Sequence, residues 1–162
     1  MNYKVVFDIA DAGYKSWTFP AFGFIFVCIG IVLIVSRKYA PWLWRGNSTM
    51  KSVFPIIYFS GATLWTLVTF LATYSDYSAL SSAQKTGRTQ IVEGPVHDFV
   101  PMPVTGHSQE RFCVSTRCFE YSDYGVTAGF NNTSSHGGPV RDNLQVRVTY
   151  VGNEIAKLEV AR

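Results

Sequence analysis

The residues able to do chemistry are few and fall in the C-terminal half of the chain. The three histidines are His97, His107 and His136. His107 precedes Glu110 by three positions in "GHSQE", and His136 closes the hydroxyl-rich run of "GFNNTSSHGG", residues 129 to 138. With Asp123, these side chains offer the imidazole and carboxylate donors that zinc accepts. One reading therefore makes His107, Glu110 and His136 metal ligands. The other makes them surface and turn-capping groups, because no spacing here fixes them near one another. Ser134 or Ser135 beside His136 has the residue types of a nucleophile and its base. No strand–Gly-x-Ser-x-Gly–helix elbow surrounds them, so no catalytic residue is assigned.

A ligand contact is the alternative use of the same region. Tyr121, Asp123 and Tyr124 lie together in "YSDYG", and Asn131, Asn132, His136 and Arg141 follow in the glycine-rich stretch. Exposed, the tyrosines could stack on a sugar or a peptide; buried, they would fill a core. The glycines at 129, 137 and 138 lack the spacing and the following lysine of a phosphate-binding loop. No cofactor is expected. Asn and Gly tolerate positive φ, and Ser, Thr and Asn bond their own backbone, so the stretch reads as a self-capped loop.

Cys113 and Cys118 flank a third candidate, "CVSTRC". If Ser115-Thr116 is a two-residue hairpin turn, Val114 faces Arg117 and Cys113 faces Cys118. That outer pair is the non-hydrogen-bonded kind, whose side chains lie closest. A structural disulfide is the expectation, with reduced thiols or a redox-active pair as rivals. Four intervening residues are not the two of thioredoxin-like motifs, and no βαβ context surrounds them.

These residues must be carried by β-structure. "TQIVEGPVHDFVPM" (89 to 102) is rich in β-branched and aromatic residues, with Gly94-Pro95 as a bend or bulge. "ERFCV" and "RCFEY" form the hairpin. "LQVRVTYV" (144 to 151) alternates, with Leu144, Val146, Val148 and Tyr150 on one face. Gly152-Asn153 turns the chain into a last strand, "EIAKLEV". Five strands with a bent first one predict a small closed barrel of OB-like type. An SH3-like barrel or an open sandwich is the alternative. The loop 122 to 143 lies between the third and fourth of these strands.

The runs "VEGPVHDFVPMPVTGHSQERFCV", "YSDY", "GFNNTSSHGGPVRDN" and "VRVTYVGNEIAKLEV" resemble a bacterial family with one or two N-terminal membrane helices and a small β-barrel domain. The resemblance covers roughly residues 90 to 160. It implies a bacterial envelope protein and carries over no catalytic residue.

The N-terminal half has a different character. Residues 17 to 35 and 53 to 73 contain no charge, and each run has the length of a membrane-crossing helix. Trp17, Tyr39, Trp42, Trp44, Tyr74 and Tyr77 stand at their ends, as aromatic belts do. Pro20 and Pro55 are placed in first helical turns. Gly23 and Gly30 share one face of the first helix, and Ser60, Gly61 and Ala62 offer a similar small patch on the second; both suit close helix packing. The expected organisation is a tail (1 to 16), a transmembrane hairpin (17 to 74), a linker or juxtamembrane helix (75 to 88) and a soluble barrel (89 to 162).

The connection between the helices, residues 36 to 52, carries Arg37, Lys38, Arg45 and Lys51 and no acid. By the positive-inside rule it is cytoplasmic, which puts both ends of the chain outside. Residues 1 to 75 hold six basic and two acidic residues (+4), and residues 76 to 162 hold eight and nine (−1). The excess charge thus belongs to the membrane portion, and a nucleic-acid partner is not expected. The reading is a multi-pass inner-membrane protein with a periplasmic C-terminal domain, whose partners are the bilayer and a membrane or periplasmic protein or a second copy. The expected role is non-enzymatic: a binding, scaffolding or accessory subunit of an envelope complex. The alternatives are a membrane-bound hydrolase or metal-handling protein using His107 and His136, and a toxin-immunity or envelope-stress protein.

Overall fold

The computed structural model describes residues 2–44 and 48–162. Arg45, one of the four basic residues of the connection, lies outside them. The chain divides into two compact units: Ser16–Tyr74, and Met1–Lys15 together with Ser75–Arg162.

The first unit is a pair of helices. After a four-residue helix, α1 (Ile9–Ala12), come α2 (Thr18–Tyr39) and α3 (Ser48–Lys85), the latter continuing into the second unit. Both are long and apolar enough to cross a bilayer. Only 17% of the most apolar stretch of α2 and 11% of that of α3 is buried, whereas a core helix would be mostly covered. Phe24, Ile25, Val32, Ile57, Leu64 and Leu71 are all exposed.

The two helices meet through the predicted glycines. A Cβ on Gly30 would stand 3.0 Å from the Phe59 backbone, and one on Gly23 would run into Thr66 and Trp65. Thr66 is buried and satisfies its hydroxyl on the Ala62 carbonyl at 2.7 Å. Ser60 and Gly61 of the second patch are not part of this contact, being exposed with nothing near a Cβ on Gly61, whereas Ala62 is half-buried. Pro55 also departs from expectation. Because α3 begins at Ser48, Pro55 lies inside the helix, where its ring nitrogen donates nothing to the preceding turn. Arg37 ties the two helix ends together, donating to the Ser52 carbonyl (3.1 Å) and hydroxyl (3.2 Å).

The second unit is a six-stranded antiparallel sheet of order β1-β6-β5-β2-β3-β4. Its strands are β1 (Tyr3–Asp8), β2 (Gln90–Val100), β3 (Glu110–Val114), β4 (Arg117–Tyr121), β5 (Gln145–Val151) and β6 (Glu154–Ala161). Strand β2 serves two neighbours in turn. Gln90 to Pro95 pair with β5, and Val96 to Val100 pair with β3. The handover falls at Gly94-Pro95, where Gly94 adopts φ 157° and Pro95 has no N–H to place in a ladder. The apolar faces of the two halves enclose one core, in which Phe112, Phe119, Val146, Val148 and Leu158 are fully buried.

Two expectations fail here. The sheet is not a closed barrel: β1 and β4 are its edges. In place of a closing ladder, side chains link β4 to the β5–β6 turn and a loop lies against β6. Arg117 donates to the Gly152 carbonyl, Asn153 Nδ2 to the Glu120 carbonyl (3.3 Å), and Phe130 N–H to the Ile155 carbonyl (2.9 Å). Nor is the N-terminal segment a tail. Strand β1 pairs with β6 from Tyr3↔Ala161 to Asp8↔Lys157, covering an edge that would otherwise stay open. Tyr3 also reaches Glu93 of β2 at 2.8 Å, and Arg147 of β5 holds the same carboxylate at 2.7 Å.

Asp8 then caps α1 through the Ala10 N–H (2.9 Å) and accepts from Gln84 of α3 (2.7 Å). Ile9 is buried with Leu80, Ala128 and Ala156 in a second small core. The residues expected as a linker are therefore mostly helix, and part of that helix is built into the β-unit.

Candidate functional site

Glu110 opens β3 directly across from Tyr121, which ends β4. The pairing puts both at the sheet margin under the loop 122 to 143. Glu110 is completely buried. A buried carboxylate is costly unless its oxygens find donors, and here they find several. Tyr121 Oη donates to Oε1 at 2.6 Å. The Ser134 backbone N–H reaches both oxygens (3.1 and 2.9 Å), and its hydroxyl donates to Oε2 at 2.5 Å. Ser134 begins a single 3₁₀ turn, Ser134–His136, so Glu110 caps that turn from another strand. Burial, and then the bond to Glu110, push the Tyr121 phenol above its ordinary pKa.

A second carboxylate holds the other side of the turn. Asp123 Oδ2 accepts from the hydroxyl of the fully buried Thr133 at 2.9 Å and lies 2.5 Å from His136 Nδ1. Outside this pair the Tyr124 ring is exposed, with its centroid 4.1 Å from His107 and 6.1 Å from His136. Asp123, Tyr124, His136 and His107 thus form one surface cluster. Glu110 faces inward from it, and His107, Glu110 and His136 do not form a ligand group. Among the described residues, the His, Cys and carboxylate atoms that do gather within 4.8 Å belong to His97, Asp98 and Cys113. The Asp123–His136 pair has the geometry of an orienting acid and a base. However, the Thr133 and Ser135 hydroxyls gather on the Asp123 side of the ring, Thr133 being 3.4 Å from Nδ1, so the order Ser–His–Asp is not made.

The remaining predicted contacts are spent within the loop. Arg141 donates to its own neighbours, the Gly138 (2.7 Å) and Val140 (2.6 Å) carbonyls. Asn132 is exposed, while Asn131 donates to the Gly125 carbonyl at 3.2 Å. Asn131 also accepts from a residue that sequence reasoning missed. Lys15 sends its ammonium to Asn131 Oδ1 (2.8 Å) and to the Gly129 carbonyl, 5.1 Å above the Phe7 ring. Burial lowers its pKa to about 8, against an opposing pull from Glu154. A single lysine just before a charge-free run reads as a membrane flank, so no local signal singles it out.

Where β4 and β6 fail to ladder, a cleft of about 240 Å³ opens. Tyr121, Phe130 and Ile155 supply apolar surface, and Glu120, Asn153 and Glu154 supply polar groups. Thr127 donates to Glu154 at 2.8 Å, and Arg111 lies 3.7 Å from Glu120. Cys113 and Cys118, paired in register across the Ser115-Thr116 turn, are disulfide-bonded with Cα atoms 3.9 Å apart, as the turn length predicts. No family model, curated protein or solved structure matches the chain.

Proposed function

We propose that this chain is a two-span inner-membrane protein whose β-unit faces the periplasm and acts as a binding or accessory subunit of an envelope complex. One observation carries the reading. The segments on both sides of the helical pair, Met1–Lys15 and Ser75–Arg162, belong to one folded unit. Both must lie on one side of a membrane, which an even number of crossings satisfies, and the exposed apolar surface of α2 and α3 supplies two. An apolar groove of about 630 Å³ on that surface, walled by Phe19, Phe22 and Trp65, is filled by lipid chains. Arg37, Lys38 and Lys51 at the opposite end of the pair orient it by the positive-inside rule. An oxidising periplasm keeps the cysteine pair joined.

The binding role rests on the cleft between β4 and β6. Its two carboxylates above an aromatic floor suit a partner group with a cationic head on an apolar stem, such as a lysine or arginine side chain. Topology is tested by labelling single cysteines at Lys51 and Arg162 with a membrane-impermeant maleimide in intact cells. Labelling at Arg162 alone supports the orientation, and labelling at Lys51 alone reverses it. Binding is tested by purifying tagged protein from solubilised membranes. A stoichiometric partner that is lost with E120K and E154K, in protein of unchanged thermal stability, supports the cleft. Retention of that partner removes the cleft from consideration.

A further inference from the structure

The disulfide sits in an electrostatic setting that a merely structural crosslink does not require. Strand β2 bulges opposite β3: His97 pairs with Cys113, but the next pair is Val100↔Arg111. Asp98 occupies the bulge at φ 51°. Neighbours on a regular strand point to opposite faces, whereas this bulge leaves both His97 and Asp98 on the outer face, 46% and 74% exposed. His97 Nδ1 lies 3.2 Å from Asp98 Oδ2, and Nε2 lies 2.9 Å from the Ser115 carbonyl. Both partners are acceptors. Only the imidazolium, with an N–H on each nitrogen, satisfies both.

That cation stands beside Cys113, with the nearest side-chain atoms of His97, Asp98 and Cys113 within 4.8 Å of one another. Cys118 faces a second cation, the Arg111 guanidinium, whose N–H points at its sulfur from 4.0 Å. A neutral disulfide gains little from two positive neighbours, whereas a thiolate gains a great deal. The two cations favour the reduced form and the leaving of a thiolate, which makes a disulfide oxidising, against an opposing pull from the Asp98 carboxylate, which lies within the same 4.8 Å of Cys113. Access is unequal: Cys113 is 1% exposed, while Cys118 is half-buried.

We propose that Cys113–Cys118 is an exchange-active disulfide that oxidises dithiols, with His97 stabilising the departing Cys113 thiolate. One thiolate of the dithiol attacks Cys118 Sγ. A new S–S bond forms, the Cys113–Cys118 bond breaks, and its electron pair stays on Cys113. The second thiol of the substrate loses its proton and attacks its own sulfur in the mixed disulfide, releasing Cys118. The substrate is oxidised by two electrons to its disulfide, and the protein is reduced to two thiols. Asp98 and Asp142 favour the charged form of His97; Glu120, paired with Arg111, moderates the cation at Cys118. The Ser115 carbonyl and then Asp98 hold the His97 pKa above its ordinary value. This inference concerns the β-unit alone and does not depend on the membrane orientation or on the cleft.

The test uses the full chain in detergent with C28A, which removes the one free cysteine. Native protein is equilibrated with glutathione redox buffers at pH 7, and the fraction reduced is read by alkylation and mass. Reduction without unfolding is expected. H97Q should shift the equilibrium about tenfold toward the disulfide, about 30 mV for a two-electron couple. In the reduced protein, thiolate absorbance at 240 nm should show a Cys113 titration below the ordinary thiol value of about 8.5 that moves up in H97Q. H97K, which keeps a cation, should restore both readings. A disulfide that yields only on unfolding, or an H97Q protein with unchanged equilibrium and titration, overturns the proposal.

Discussion

Lys15 Nζ donates a 2.8 Å hydrogen bond to Asn131 Oδ1, joining residues 116 positions apart. The bond fastens the residue that leads into the first long helix to the glycine-rich loop. The loop is therefore held by the N-terminal segment, by Glu110 of β3 and by Asp123.

This attachment has a pH signature. The Lys15 pKa falls from 10.5 to about 8 on burial, so between those values the unfolded chain binds more protons than the folded one. Stability then rises with pH across that window. Melting temperatures of wild type and K15M, compared from pH 7.5 to 10.5, should diverge steadily in favour of wild type. Parallel curves would show that the ammonium is not buried.

Glu110 should be the most sensitive polar residue of the β-unit. E110A leaves the Tyr121 hydroxyl and the Ser134 N–H without their acceptor and should cost about 2–4 kcal/mol, the penalty of buried donors left unsatisfied. E110Q, which keeps one acceptor oxygen, should cost about 1–3 kcal/mol. Urea unfolding followed by tryptophan-independent far-UV dichroism reads both. A change below about 0.5 kcal/mol for E110A, the scale of an ordinary surface substitution, would contradict the anchoring role.

Gly138 is placed by packing. A Cβ there would collide with the backbone of Asn132 and Thr133, which cannot step aside without moving the capped turn. G138A should lose about 1–3 kcal/mol, the usual cost of overpacking. Thermal unfolding measures it, and G61A, whose Cβ meets nothing within 4 Å, serves as the neutral control.

The helix pair gives a parallel contrast. G30L must displace the Phe59 backbone, whereas G61L extends into open space. In detergent, G30L should lower the melting temperature of the solubilised protein and weaken cross-linking between cysteines placed at Phe19 and Trp65, whose rings lie 5.7 Å apart. G61L should change neither.

The sequence made legible whatever short-range rules govern. A two-residue turn sets register, so the Cys113↔Cys118 pairing followed from spacing alone. The alternation of "LQVRVTYV" identified its buried face, and charge-free runs marked the long helices. The rest depended on partners far away in sequence. The six residues of β1 alternate too briefly to announce a strand, and their partner strand lies at the other end of the chain. Glu110 shows its type but not its burial, so its place under Ser134 was invisible. Asp98 reaches positive φ without being glycine or asparagine, and the bulge that leaves Asp98 on the same face as His97 therefore left no mark. Closure into a barrel was inferred from strand count, which says nothing about whether edge strands find each other.

The pairing of β1 with β6 also constrains the order of assembly. Tyr3 is made well before Ala161, yet they sit opposite each other, and Arg162 N–H bonds the Asn2 carbonyl at 3.0 Å. During synthesis the N-terminal strand waits, unpaired, until everything between has emerged. Its companion edge on β6 is likewise an open template for the wrong strand during that interval. Closing so large a loop is slow compared with forming the local hairpin of β3 and β4. The pairing of β1 with β6 therefore waits on more of the chain than any local hairpin does, and an insertion beside either strand bears on that step before it bears on any finished surface.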